Sequence, residues 1–181
     1  MVLYMLFMKA ETENVGEIQL RTEDVNLRIS VRNPLSDWEI RENVIFNPSE
    51  IVEQDDESSR EPPSHFSIKW EGSKKPSVLR YLDAKETATA LKKKKKYKEG
   101  APRAFTGDDS NDNWVPLLAV ECRGLEPYAF HPMKDEFVIS SENGYCFDEE
   151  IEFEDGDWAD YDADNDCPVS ISELEFKFES V

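Results

Sequence analysis

The chain has 181 residues, of which 39% are hydrophobic and 11% aromatic, enough for a packed core in one or two small domains. Lys and Arg number 21 against 40 Asp and Glu, a net charge of −19. That balance argues against nucleic acid, whose phosphates need a basic face, and against docking on an anionic membrane. It fits a soluble, monomeric protein that repels its own copies or meets a basic protein partner.

The chain opens on "VLYMLFMKA" (2–10), apolar and then charged, without the basic leader of a signal peptide. It is read as a first, buried strand. Further strand signals follow at 25–31, 38–46, 65–70 and 77–82. Within them, "ISVRNPLSDWEI" (29–40) and "SIKWEGSKKPSV" (67–78) have the outline of zinc knuckles, a strand, a polar turn and a strand, yet contain no cysteine. Residues 47–64 are acidic and Pro-containing and read as a loop. The one helix signal is "DAKETATALKKKKKYKEG" (83–100), with Gly100 as its C-cap. Residues 98–113 are polar and turn-rich, and residues 88–112 are expected to be the least ordered internal segment.

The second half carries strand signals at 115–123, 136–140, 150–155 and 169–181. In the last, Val169 and Ile171 alternate with polar residues, and Leu174, Phe176 and Phe178 resume the period after one slip. "MKAETENVGEIQL" (8–20) and "VECRGLEPYAFHP" (120–132) share a layout at an offset of 112 residues. The expected architecture is all-β, with two related sheet or sandwich halves in a pseudo-two-fold arrangement and little helix. The halves are residues 1–91 and 114–181, with 92–113 as a lysine-rich, polar inserted linker.

Other patterns have blander readings. Asp160, Asp162 and Asp164 have the spacing of an EF-hand loop, but Asn165 and Ile171 occupy its glycine and glutamate positions. A solvated acidic turn is the simpler reading. Lys92–Lys96 with Lys98 reads as a localisation or phosphate patch, or as a solvated helix end. Cys122, Cys146 and Cys167 are scattered and odd in number, which favours a reducing, cytoplasmic setting over a disulfide framework. With His65 and His131 they are the candidates for any replacement metal site. No phosphate loop or hydrolase motif is present, and no enzyme is expected.

"ECRGLEP" followed by Phe130 and Pro132, together with "DWADYDADNDCPVSISELEFKF" (157–178), resembles the eukaryotic CXXC-motif-containing zinc-binding proteins. "SSRE" (58–61) stands where that family has a Gly/Ser/Arg-rich loop, with Glu61 departing from the pattern. The resemblance implies a zinc held by two CxxC pairs, each on one turn, in a closed tetrahedral site. The matching positions here are Val31, Pro34, Trp70 and Ser73, none of which supplies a thiolate. The resemblance therefore implies a member without its structural zinc, closed by packing around Trp70. It has no cofactor and acts by binding or scaffolding a protein partner; the alternative is a metal-handling protein using the remaining Cys, His and Asp. Cys122, Arg123, Gly124, Glu126, Pro127, Trp158, Asp160 and Tyr161 belong to the family motifs, with structural or binding roles left open.

Overall fold

Thirteen strands and one α-helix make up the computed structural model, which describes residues 1–53 and 62–181; the "SSRE" stretch (58–61) lies outside them. The first-half strands are β1 (Val2–Glu13), β2 (Val15–Leu20), β3 (Leu27–Arg32), β4 (Ile40–Phe46), β5 (Phe66–Ile68) and β6 (Ser77–Tyr81). After α1 (Ala84–Leu91) come β7 (Phe105–Thr106), β8 (Val115–Arg123), β9 (Glu126–Phe130), β10 (Phe137–Ser141), β11 (Cys146–Phe147), β12 (Trp158–Asp162) and β13 (Cys167–Ser180). They form a six-stranded sheet in the order β12-β13-β1-β8-β6-β5, a four-stranded sheet β11-β10-β2-β7, and a three-stranded sheet β4-β3-β9. All pairings are antiparallel.

The strand order has an internal two-fold relation. Exchanging β1 with β8, β13 with β6, and β12 with β5 maps the large sheet onto itself. Exchanging β2 with β9, β3 with β10, and β4 with β11 maps the two small sheets onto each other, leaving β7 as the one addition. The bends at Asn14 (φ 57°) and Gly124 (φ 75°) occupy equivalent points, which is the physical basis of the repeated layout in the sequence. Because β2 pairs with β10 and β3 with β9, each small sheet is built from both halves.

β1 is apolar on both sides because both sides are covered. Leu6, Met8 and Ala10 enter the main core between the sheets. Leu3, Met5 and Phe7, on the alternate face, pack with Leu82 and Ala119 beneath Ala90, Leu91, Tyr97 and Trp114. The slip read in the last strand is a bulge: Glu173 has φ 53°, and the β1–β13 register shifts between Lys9 and Glu11.

Several elements differ from the sequence reading. The helix starts where expected, on an Asp83–Glu86 capping box, but ends at Leu91 rather than near Gly100. Five consecutive lysines place like charges at helical neighbour spacings, and the chain continues in tight turns, Lys93 N–H to Ala90 O (3.2 Å) and Tyr97 N–H to Lys94 O (3.1 Å). Residues 150–155 form no strand. Glu150 has φ 46°, and pairing is reduced to a bridge between Glu154 and Asp157. In the segment expected to be least ordered, Phe105 is fully buried and Asp109 is 5% exposed. The Asp109 carboxylate accepts from Arg103 Nη1 and Nη2 (both 2.7 Å), Thr106 N (3.0 Å), Thr106 Oγ1 (2.9 Å) and Asn113 Nδ2 (3.3 Å).

Candidate functional site

The two knuckle-like turns lie on either side of the β8–β9 bend. β9 starts beside the end of β3, with Arg32 opposite Glu126 and Val31 opposite Pro127. β8 ends beside the start of β6, with Arg123 opposite Val78. The turn that leaves β3 (33–39) and the turn that precedes β6 (70–76) therefore meet at one end of the molecule, against Gly124 and Leu125.

Each turn is closed by hydrogen bonds. In the first, Asn33 N–H donates to Glu39 O (2.9 Å), Asn33 Oδ1 accepts from Leu35 N–H (3.0 Å), and Asn33 O accepts from Ser36 N–H (3.1 Å). In the second, Ser73 N–H donates to Trp70 O (3.1 Å) and Ser73 Oγ to Lys75 O (2.9 Å). Trp70 is 4% exposed, and its indole N–H donates to Gly124 O (2.8 Å). The Arg41 guanidinium lies 5.9 Å from the Trp70 ring centroid, and Arg41 is the cross-strand neighbour of Val31. Val31 and Trp70 thus belong to one core cluster, whereas Pro34 is exposed on its turn and Ser73 is half-buried. These four positions present neither thiolate nor imidazole, and the indole occupies core space, so they do not fit a zinc ion. Arg41 and Asn33 carry no motif in the sequence; only the strand pairing reveals what they hold.

The family-motif residues have definite places. Cys122 is buried in β8, and burial pushes its thiol well above the ordinary range, the reverse of what a thiolate ligand or nucleophile needs. Gly124 turns the chain in left-handed backbone. Glu126 takes a bidentate pair from Arg32 (2.9 and 3.0 Å), and Pro127 is buried opposite Val31. Trp158 stands edge-on to Phe147 at 5.2 Å. Asp160 is exposed and accepts from Tyr161 N–H, while the half-exposed Tyr161 hydroxyl donates to Asp166. Asp162, in the calcium-like run, is fully buried and already engaged. Its carboxylate accepts from Ser141 Oγ (2.8 Å), Asn165 Nδ2 (2.8 Å), and the backbone N–H of Asp164 (3.1 Å) and Asn165 (3.0 Å).

Both histidines are engaged too. His65 Nδ1 accepts from Tyr81 N–H (2.9 Å), and His131 Nε2 pairs with Ser30 Oγ (2.7 Å). Burial lowers the pKa of each. Among the described residues no three His, Cys, Asp or Glu side chains are grouped to hold a metal ion, and no helix is long and apolar enough to cross a membrane.

Gly124→Ala is expected to cost about 2–3 kcal/mol, from the positive φ and from a collision. A Cβ at Gly124 would lie 2.3 Å from Ser77 Oγ and 3.1 Å from Ser77 Cβ. Denaturant unfolding checks this, and the loss should shrink in a Ser77→Ala background, where the nearer atom is gone.

Two closed turns meeting against a third bend, on a scaffold of two interleaved β halves, define a β protein of the two-knuckle type. The family model described as CXXC motif containing zinc binding protein, eukaryotic, matches residues 5–179, and the chain belongs to that family. A UPF0587 protein from Caenorhabditis elegans is 35% identical over 74 residues, 40% of this chain and 43% of that protein. The Homo sapiens CXXC motif containing zinc binding protein is 34% identical over 70 residues, 39% and 43% of the two chains. A UPF0587 protein from Schizosaccharomyces pombe is 42% identical over 72 residues, 40% and 45% of the two. The chain spans less than half the length of these curated relatives in the matched segments. Among solved structures, C1orf123 shares the fold with a TM-score of 0.78 at 20% identity, covering 99% of each chain. A hypothetical protein from Plasmodium falciparum does so with a TM-score of 0.77 at 23% identity, covering 99% and 100%.

Proposed function

We propose that this chain is a non-enzymatic binding or scaffold member of its family that no longer uses a structural zinc. The observation that carries this is Trp70: at a position matching a zinc cysteine, its ring fills core space and its N–H is bonded to the bend between β8 and β9. Asn33 closes the other turn. The role is that of a soluble, cytoplasmic, monomeric protein whose partner is another protein rather than nucleic acid or membrane. The charge of −19 supports that choice, and it favours a basic partner.

Metal analysis and melting with and without a strong chelator test the reading on purified full-length protein. The expected outcome is substoichiometric zinc and an unchanged melting temperature. Structural zinc in small modules contributes about 10 kcal/mol or more, so a zinc-dependent fold would lose stability visibly on chelation. One tightly bound equivalent, or unfolding by chelator, would overturn the proposal and point to ligands among Cys122, Cys146, Cys167, His65 and His131.

A further inference from the structure

A cavity of about 760 Å³ lies between the β2–β3 connection and the β9–β10 connection, the same link in the two related halves, with Ile45 and Phe153 as further walls. Its volume is in the range of small-ligand sites. Glu136, on the second connection, is 1% exposed. One carboxylate oxygen accepts from Met133 N–H, and the other, Oε2, has no hydrogen-bond partner. Arg28 also lines the cavity. Its Nη2 donates to Pro132 O (3.4 Å), but its buried Nε–H has no acceptor. An orphaned acceptor and an orphaned donor therefore border one space, and each costs free energy until something meets it.

The remaining charges select the ligand. Glu23, Asp24, Asp135, Glu152 and Glu154 join Glu136 around the cavity. Against them, Lys134 is already paired with Glu152 (3.0 Å), and Arg21 donates to the backbone carbonyls of Asp135 (3.0 Å) and Asp148 (3.2 Å). The site is thus short of positive charge. Val25, Ile45, Met133 and Phe153 supply apolar surface for an alkyl stem. Burial pushes the Glu136 carboxyl up, against the pull of neighbouring backbone N–H groups, and a cation placed beside it relieves that cost.

We propose that this cavity receives a lysine or arginine side chain presented by a polypeptide, with Glu136 meeting the cationic head and Arg28 Nε–H meeting a carbonyl of the same residue. The inference rests on the binding-protein reading and adds the site and the chemistry of the partner. Free amines share the cation but lack the carbonyl, which separates the two sources.

The test is titration of the full chain with Nα-acetyl-lysine N-methylamide, its arginine counterpart, the uncharged norleucine counterpart, and cadaverine, followed by amide NMR shifts around the cavity. The lysine and arginine compounds should bind, with norleucine and cadaverine each about tenfold weaker or more. Glu136→Gln, checked for native circular dichroism, should weaken the lysine compound about tenfold. Ile45→Lys, at a position 51% exposed, should weaken it too by bringing the chain's own cation to the wall. This variant decides the matter if Glu136→Gln fails to fold. Equal binding of norleucine, or unaltered binding in both variants, would overturn the site; cadaverine binding as tightly as the lysine compound would overturn the polypeptide as its source. Zinc content and chelator response test the broader reading separately, so a zinc-bearing protein that still binds these compounds would fail one proposal and support the other.

Discussion

Trp70→Ala is expected to destabilise the protein by about 3–5 kcal/mol, the largest single loss among the substitutions considered, because it removes a large buried side chain and leaves a cavity. Two further losses accompany it. Gly124 O loses the indole N–H, and the Arg41 guanidinium loses the ring it lies over. Trp70→Phe separates these effects: the ring surface is mostly kept, and the loss should fall to about 1–2 kcal/mol, near the value of one hydrogen bond plus imperfect packing. Urea unfolding followed by circular dichroism measures both. A loss below about 1 kcal/mol for the alanine variant would mean the turns are held together by something other than the indole.

Asp109→Ala is expected to cost about 2–3 kcal/mol, below the figure for a fully buried pair because the Arg103 side chain is 48% exposed and regains water when its partner goes. The Arg103 hydrogen bonds, with help from Thr106 and Asn113, hold the Asp109 carboxyl well below the usual carboxylate range despite its burial. The sign follows from that depression. The contribution is fully present above the unfolded-chain value of about 3.9 and is lost as pH falls from there towards the folded value. Stability measured at pH 7 and again near pH 3 should therefore converge between wild type and Asp109→Ala. Asp162 is also held low: its hydrogen bonds outweigh the burial that alone would raise it. Both proteins should consequently keep an acid-side decline, and a pH-independent gap between them would contradict the role given to the Asp109 charge.

The sequence made the long strands legible and left the short ones hidden, for physical reasons. β1, β8 and β13 carry enough alternating or continuous apolar residues to stand out, and even the bulge at Glu173 shows as a slip of period. β9 contains Pro127 and follows Gly124, so it reads as a loop; only its place between the bend and β3 makes it a strand. β12 is written in aspartates and is held by pairing to β13 rather than by propensity. Phe105 and Asp109 sit in polar sequence, and their burial depends on β2 and on Arg103. At the two turns, the absence of thiols was evident from the sequence, and so was the bulk of Trp70. Asn33 and Arg41 act through partners brought in by folding. The Glu136 cavity joins connections from opposite halves, and no local pattern announces it.

The interleaving of the two halves also governs the order in which the chain can mature. β1 is the first strand synthesised and β13 the last, yet they lie side by side, with Tyr4 opposite Ser180. On a ribosome, the doubly apolar β1 therefore waits unpaired on that edge until almost the whole chain has emerged, and β2 waits likewise for β10. Pairings of such separation make for slow folding and a long exposure of sticky edges. A nascent chain of this design depends on being shielded during that interval, which makes translation rate and chaperone capture, rather than final stability, the point at which its yield is decided.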